Sequence, residues 1–340
     1  MDALSGATRI GRYFTVVSLV PTTLFVAYLY LLAKSGAWGG PVDWSTVLDE
    51  LRLGDIGLVG VLSVAGALAL HPLQFSLVQL YEGYWGVAEP FRTLALARIA
   101  HHRRRCHSME RNHISAVHDL ARRRAEGDTP ALPHGSAHVV ATHHMKEELL
   151  RLKAAYPENL EDILPTRLGN VLRRYERSAG EVYGLTAVPN LPRLAMVARP
   201  LELDYLQSQR MQLELAVRTS VLAFAATLVT VFFMWGEGGW LLLAAVPYAM
   251  GYGCYRGAVT VAHEYGVAMS TLVELNRFRL YERLRLPQPR SLQDERTANY
   301  RLERILAGDT GLDVKYAEAV SPADDDVSML EPPAGDETNE

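Results

Sequence analysis

The chain reads as an all-α membrane protein: four transmembrane helices in two hairpins, with a helical cytoplasmic insertion between them. Two observations predict this class. Four long apolar segments stand in two pairs, Tyr13–Leu32 with Gly54–Leu80 and Leu213–Trp235 with Trp240–Val261. Each holds a window near the roughly 20 residues that an α-helix needs to cross about 30 Å of hydrocarbon. Between the pairs lies a polar stretch whose longest run, Phe91–Glu126, lacks both Gly and Pro. The charged fraction of 21% looks globular only because it averages these unlike regions. The expected divisions are a cytoplasmic N-terminus (1–12), a first hairpin (13–80), a helical cytoplasmic domain (81–212), a second hairpin (213–261), a cytoplasmic helical extension (262–306) and a disordered acidic tail (307–340).

The first span, Tyr13–Leu32, follows Arg9 and Arg12 as a signal peptide would. It is longer than the ~7–15 apolar residues of a signal core, and Lys34-Ser35-Gly36 is a poor cleavage site, so it reads as a retained anchor. Pro21 predicts a kink inside it. The connection to the second span is long enough for a short amphipathic helix over Asp43–Leu51, whereas Gly236-Glu237-Gly238-Gly239 is a tight reversal between the third and fourth spans. Basic residues gather at the other ends: Arg9 and Arg12, Arg92 to Arg105, Arg210 and Arg218, then Arg256, Arg277 and Arg279. Lys and Arg stay on the cytoplasmic side, so both termini and the polar middle are expected inside a bacterial plasma membrane.

The polar middle predicts helices over Phe91–Glu126, Met145–Ala155 and Thr166–Arg177, the last opened by Pro165. Leu201–Trp235 contains neither Gly nor Pro, so one rod of about 50 Å should begin at Pro200 and continue into the third span. The fourth span should continue likewise, with Val261, Tyr265, Ala268, Leu272 and Leu275 as a seam, until Pro287. The rod's expected neighbours are that seam and Phe91–Glu126. Ser291–Leu306 reads as a polar helix, and Ser321–Glu340 is too acidic and too poor in large apolar residues to fold. Trp85-Gly86-Val87-Ala88 and Tyr265-Gly266-Val267-Ala268 form an echo after the second and fourth spans, which a duplicated hairpin would produce.

Pro165-Thr166-Arg167-Leu168-Gly169-Asn170-Val171-Leu172, with Glu176, Tyr183-Gly184-Leu185 and Pro192-Arg193-Leu194, resembles a pattern in uncharacterised integral membrane proteins of actinobacteria. His71-Pro72-Leu73-Gln74-Phe75, Glu82-Gly83-Tyr84-Trp85-Gly86 and the stretch from Tyr265-Gly266 through Asn276-Arg277 to Leu284-Arg285-Leu286-Pro287 resemble the same group. The resemblance implies a location and an architecture; it carries no reaction, ligand or partner.

Candidate sites are few. His102 and Cys106 share a helix face and could seed a zinc site if His143-His144 converged on them, but adjacent arginines repel a cation and no ligand spacing is matched. A solvated His-rich helix is the simpler expectation. Arg103, Arg104 and Arg105 suit anionic lipid headgroups better than nucleic acid, since no recognition fold accompanies them. Arg167 and Asn170 are candidates for contact with an anion or a partner. Gly253 and Gly257 suit close helix packing, and Glu82–Arg256 or Glu264–Arg92 are expected ties between the hairpins. Cys106 and Cys254 are not expected to form a disulfide. No Gly-x-Ser-x-Gly elbow, phosphate loop or His-Glu-x-x-His pair is present, so no cofactor is expected and the chain leans away from enzymes. The reading preferred is a membrane-anchored interaction protein with an unidentified cytoplasmic protein partner, itself compatible with a homo-oligomer. An oligomeric channel or small transporter, and an enzyme built around Arg167 and Asn170, are the alternatives.

Overall fold

A computed structural model describes residues 13–38, 42–44, 47, 52–125, 147, 150, 154–309, 311 and 316. Among these residues the structure is helical, with no strand. We number the α-helices α1 (Val20–Lys34), α2 (Leu53–Leu70), α3 (Gln74–Glu82), α4 (Glu89–Ala125), α5 (Arg167–Ser178), α6 (Ala187–Val197), α7 (Pro200–Phe233), α8 (Ala245–Arg283) and α9 (Leu292–Leu306).

Three helical stretches are long and apolar enough to cross a membrane: Phe14–Lys34, Leu53–Glu82 and Pro200–Phe233. Proline shapes the first two. A π-helical segment, Phe14–Leu19, runs directly into α1, with Pro21 in its first turn where a missing N–H costs little. Pro72 sits in the 3-10 turn His71–Leu73 that separates α2 from α3. The expected fourth span is not among the three. Its opening, Gly238–Ala244, is 3-10 rather than α-helical, and α8 then carries Tyr248, Tyr252, Gly253, Tyr255 and Arg256 through its apolar portion.

α7 and α8 run side by side in opposite directions. Ser220 Oγ donates to the Gly251 carbonyl at 2.7 Å, Leu213 and Val217 pack with Ala258 and Ala262, and Asn276 Nδ2 donates to Glu202 at 2.8 Å. The expected rod is present as a single helix of about 51 Å at 1.5 Å per residue. Pro200 stands in its first turn, where its fixed φ suits a helix start, and Glu202 bonds back to the Arg199 amide. Its neighbour α8 is as expected, whereas α4 meets the chain around Tyr156 and Leu160 instead.

The buried face of α8 contains Ala268 and Leu272 of the expected seam, with Val261 and Tyr265 partly buried against the core, while Leu275 is 58% exposed. The face is wider than the seam: Ala258, Ala262, Gly266, Met269, Val273, Asn276 and Leu280 are buried as well. Gly266 passes under the Tyr175 ring, where a Cβ would collide. The echo has no structural counterpart. Gly86 lies in irregular chain at φ 84°, whereas Gly266 is in mid-helix. Gly253 and Gly257 face open space, and the close approach to α7 is made by Gly251 against Phe224.

α5, α6 and α9 close on the far ends of α7 and α8. Leu185, Leu194, Leu206, Met269, Leu272 and Leu302 share one core. α9 docks through polar groups that its sequence pattern did not mark as buried. Arg277 Nε pairs with the buried Glu295 at 2.8 Å, and Tyr281 OH donates to the buried Asn299 at 2.5 Å. Cys106 and Cys254 are both free, as expected. The expected helices over Asp43–Leu51 and Met145–Ala155 lie almost wholly outside the described residues; His143-His144, residues 1–12 and the tail from Ser321 lie wholly outside them.

Candidate functional site

The most unusual chemistry sits where the three apolar helices meet. Arg218, in the second half of α7, is fully buried. Its Nη1 donates to Ser18 Oγ at 2.9 Å and to Gln74 Oε1 at 3.3 Å. Its Nη2 lies 3.4 Å from both Thr22 Oγ1 and the Ala67 carbonyl. The guanidinium therefore joins the π-helical segment, α1, α2, α3 and α7 through neutral oxygens alone, and its buried Nε finds no acceptor. A cation held this way is costly in an apolar setting. One turn earlier, Glu214 is also buried, but it is already occupied by Arg210 Nε at 2.8 Å and by the Tyr13 hydroxyl. Gln74 completes the link by donating Nε2 to the Glu214 carbonyl at 3.1 Å. His71 extends the cluster, its Nδ1 3.3 Å from Ser18 Oγ and its ring edge-on to Tyr13 and Phe14.

The sequence placed Arg218 among the arginines at span ends and did not bring it together with His71 and Gln74 of the second apolar segment. The signal was present: Arg218 lies five residues inside an apolar segment, too far for certain snorkelling, and Ser18, Thr22 and Gln74 are polar intrusions in the other two spans. Neither tie expected between the hairpins is found among the described residues. Arg92 pairs with its own neighbour Glu89, and the bundle is joined by Arg218, by Tyr28 OH with Thr230 Oγ1 (2.7 Å) and by Tyr81 OH with Ser220 Oγ (3.0 Å).

The motif Pro165–Asn170 forms the joint between α3 and the rest of the helical module. Thr166 caps α5 by accepting from the Gly169 amide at 3.0 Å, while its hydroxyl donates to the Tyr81 carbonyl at 2.6 Å. Gly169 is required by close approach, because a Cβ would collide with the Glu82 carbonyl. Asn170 is fully buried. It accepts from the Leu164 amide at 2.7 Å and donates to the Leu164 and Thr166 carbonyls at 2.9 and 2.7 Å. Its amide is thus consumed in tying the preceding loop to α5.

His102 and Arg103 tie α4 to the chain that precedes α5. His102 is 1% exposed, with Nδ1 2.9 Å from the Tyr156 hydroxyl, and Arg103 Nε donates to the Leu160 carbonyl at 3.0 Å. Burial, and then the cations Arg98, His101 and Arg167 around it, lower the His102 pKa to about 4. That environment opposes a metal ion at His102 and half-buried Cys106. Among the described residues no group of three potential ligands forms. Among the described side chains of α4, Phe91, Leu94 and Leu96 near its start are exposed, as are Arg98, Arg104 and Arg111.

Comparison with protein-family models, curated proteins and solved structures finds no match.

Proposed function

We propose that the chain is a membrane-anchored interaction protein. Four helices cross a bacterial plasma membrane as two hairpins, with both termini and the α4–α6 module in the cytoplasm. The observation that carries this reading is the pairing of α8 with α7 from Ser220–Gly251 to Glu202–Asn276. A helix packed in the opposite direction along a spanning helix occupies the same slab of membrane, so α8 is the fourth span despite its tyrosines and glycines. Beyond the bilayer the same pair continues as a stalk on which α5, α6 and α9 are built. The basic residues at the span ends support an inside location for that stalk. Exposed Phe91, Leu94 and Leu96, followed along α4 by Arg98 and Arg103–Arg105, suit a helix lying against anionic headgroups, at about 1 kcal/mol per cation near the surface.

The stalk offers the partner surface. Gln209→Pro removes a backbone bond within α7 and is expected to weaken it by about 3 kcal/mol. Purification of the wild-type chain from native membranes should return a specific protein that Gln209→Pro loses while remaining membrane-inserted. Recovery of only background proteins under several growth conditions argues against an interaction role.

A second reading, a channel or small transporter acting as an oligomer, is favoured by Arg218 alone, since a buried intramembrane cation is a candidate for an ion or substrate pathway. Solute or ion flux in proteoliposomes that is abolished by Arg218→Met or His71→Ala would promote it over the first.

A further inference from the structure

Resting on the reading of α4 as a cytoplasmic surface arm, we propose that this arm is the docking site of the chain's own acidic C-terminal segment, Pro322–Glu340, which occupies the arginines whenever anionic lipid does not. α4 carries nine arginines against three carboxylates, Glu89, Glu110 and Asp119. Arg98, Arg104 and Arg111 are exposed, and among the described residues none of them is ion-paired. Arg104 and Arg111 turn their Nε atoms back on the Ala100 and His107 carbonyls of their own helix instead. A helix so loaded with like charge repels itself and gains from any polyanion laid along it. The chain supplies one: Pro322–Glu340 holds seven acidic residues, Asp324, Asp325, Asp326, Glu331, Asp336, Glu337 and Glu340, and no Lys or Arg.

The connection permits the contact. The root of the tail and the root of the arm belong to the same module. Glu303 of α9 accepts from the Thr186 amide, Leu185 bonds Gly180 beyond the end of α5, and Arg177 of α5 pairs with Asp162 at 2.9 Å. Asp162 adjoins Leu160, on which Arg103 of the arm is anchored. From Asp309, the last residue of the α9 cap, to Asp324 the chain has 15 residues, which span up to about 50 Å when extended. Tethering at that length holds the acids near the arm at an effective concentration on the order of millimolar, so weak individual pairs suffice. The fit is one of charge along a helix rather than of shape, so the contact is salt-sensitive. It also competes with anionic headgroups for the same arginines.

The test uses the full chain in nanodiscs, with Cys106 and Cys254 replaced by Ser and spin labels on Ser328→Cys and Ile114→Cys. In discs of neutral lipid at low salt, the inter-label distance distribution should contain a short component. That component should be lost on raising salt from about 0.05 M to about 0.5 M. Replacing Asp324, Asp325 and Asp326 by Asn, or Arg104 and Arg111 by Gln, should also remove it. Absence of a short component, or one indifferent to salt and to both sets of substitutions, overturns the proposal. Anionic discs separate this inference from the reading beneath it. Loss of the short component there supports competition. Its persistence leaves the tail contact standing and removes competition with lipid at these arginines. In a chain lacking residues 322–340, protection of the Ile114→Cys label from an aqueous quencher in anionic but not neutral discs tests the lipid contact without the tail.

Discussion

Arg218 brings a permanent charge to a place where the chain offers it one good hydrogen bond to Ser18, three longer ones, and an Nε without an acceptor. Desolvating such an ion costs several kcal/mol, and hydrogen bonds between helices in membranes average only about 0.6 kcal/mol. Arg218→Met, similar in length and apolar, should therefore match or exceed the wild-type melting temperature in detergent. A fall of several degrees would mean that the guanidinium is the bundle's fastener. Burial makes His102 take up its proton at a lower pH than a surface histidine does. Its folded pKa of about 4 lies below the unfolded 6.5, so between these values the unfolded chain binds the proton and the folded one does not. Docking of α4 is thus fully stable above about pH 6.5 and weakens progressively down to pH 4, by on the order of 3 kcal/mol at most. Hydrogen exchange along residues 98–106 should rise on acidification in wild type, and His102→Asn should flatten that dependence. The sequence marked Arg218 only by its place inside an apolar segment, and nothing in it marked His102 as buried. The burial of both residues is imposed by neighbours far along the chain, Ser18 and Gln74 for one and Tyr156 for the other.

At the scale of elements, local rules located the long helices, but not α6, which forms over Ala187–Val197 despite Pro189 and Pro192. The Gly- and Pro-free runs delivered α4 and α7, Pro200 set the start of α7, and Thr166 with Pro165 set that of α5. They failed where the question was which face is buried. A small-residue spacing at Gly253 and Gly257 looks like a packing face, yet both have open space around them, while Gly251 and Gly266 carry the close contacts. Helix phase drifts over a length such as that of α8, and only tertiary contact fixes it. The consequence can be measured by thermal unfolding. Gly266→Ala must push the Tyr175 ring aside and should destabilise by about 1–3 kcal/mol. Gly253→Ala meets nothing and should be neutral or slightly stabilising, since Ala favours a helix by up to about 1 kcal/mol. Equal effects of the two would mean that Gly253 is covered in the assembled protein, which would be direct support for a homo-oligomer. α9 makes the same point with polar residues. Glu295 and Asn299 read as solvent-facing, and they are buried because Arg277 and Tyr281 of α8 stand opposite them.

At the scale of the whole molecule, hydropathy alone finds three crossings and packing argues for a fourth. Three crossings would leave the C-terminal segment on the opposite side from α4, and the two could then never meet. Four crossings put α4, α9 and the tail in one compartment. The antiparallel course of α8 along α7 favours four, because withdrawing α8 would expose Val217, Ser220 and Ala223 of α7 and break the Ser220–Gly251 bond. Single cysteines introduced into a chain lacking Cys106 and Cys254 decide the matter. Labels at Ser45 and Gly238 should react with an impermeant reagent added outside intact cells, and labels at Ser115 and Ser291 should react only after permeabilisation. Reaction of Ser291 from outside, with Ser115 still protected, would establish three crossings. It would also remove both the stalk and the tail contact, since α9 and the acidic segment would lie across the membrane from the arm.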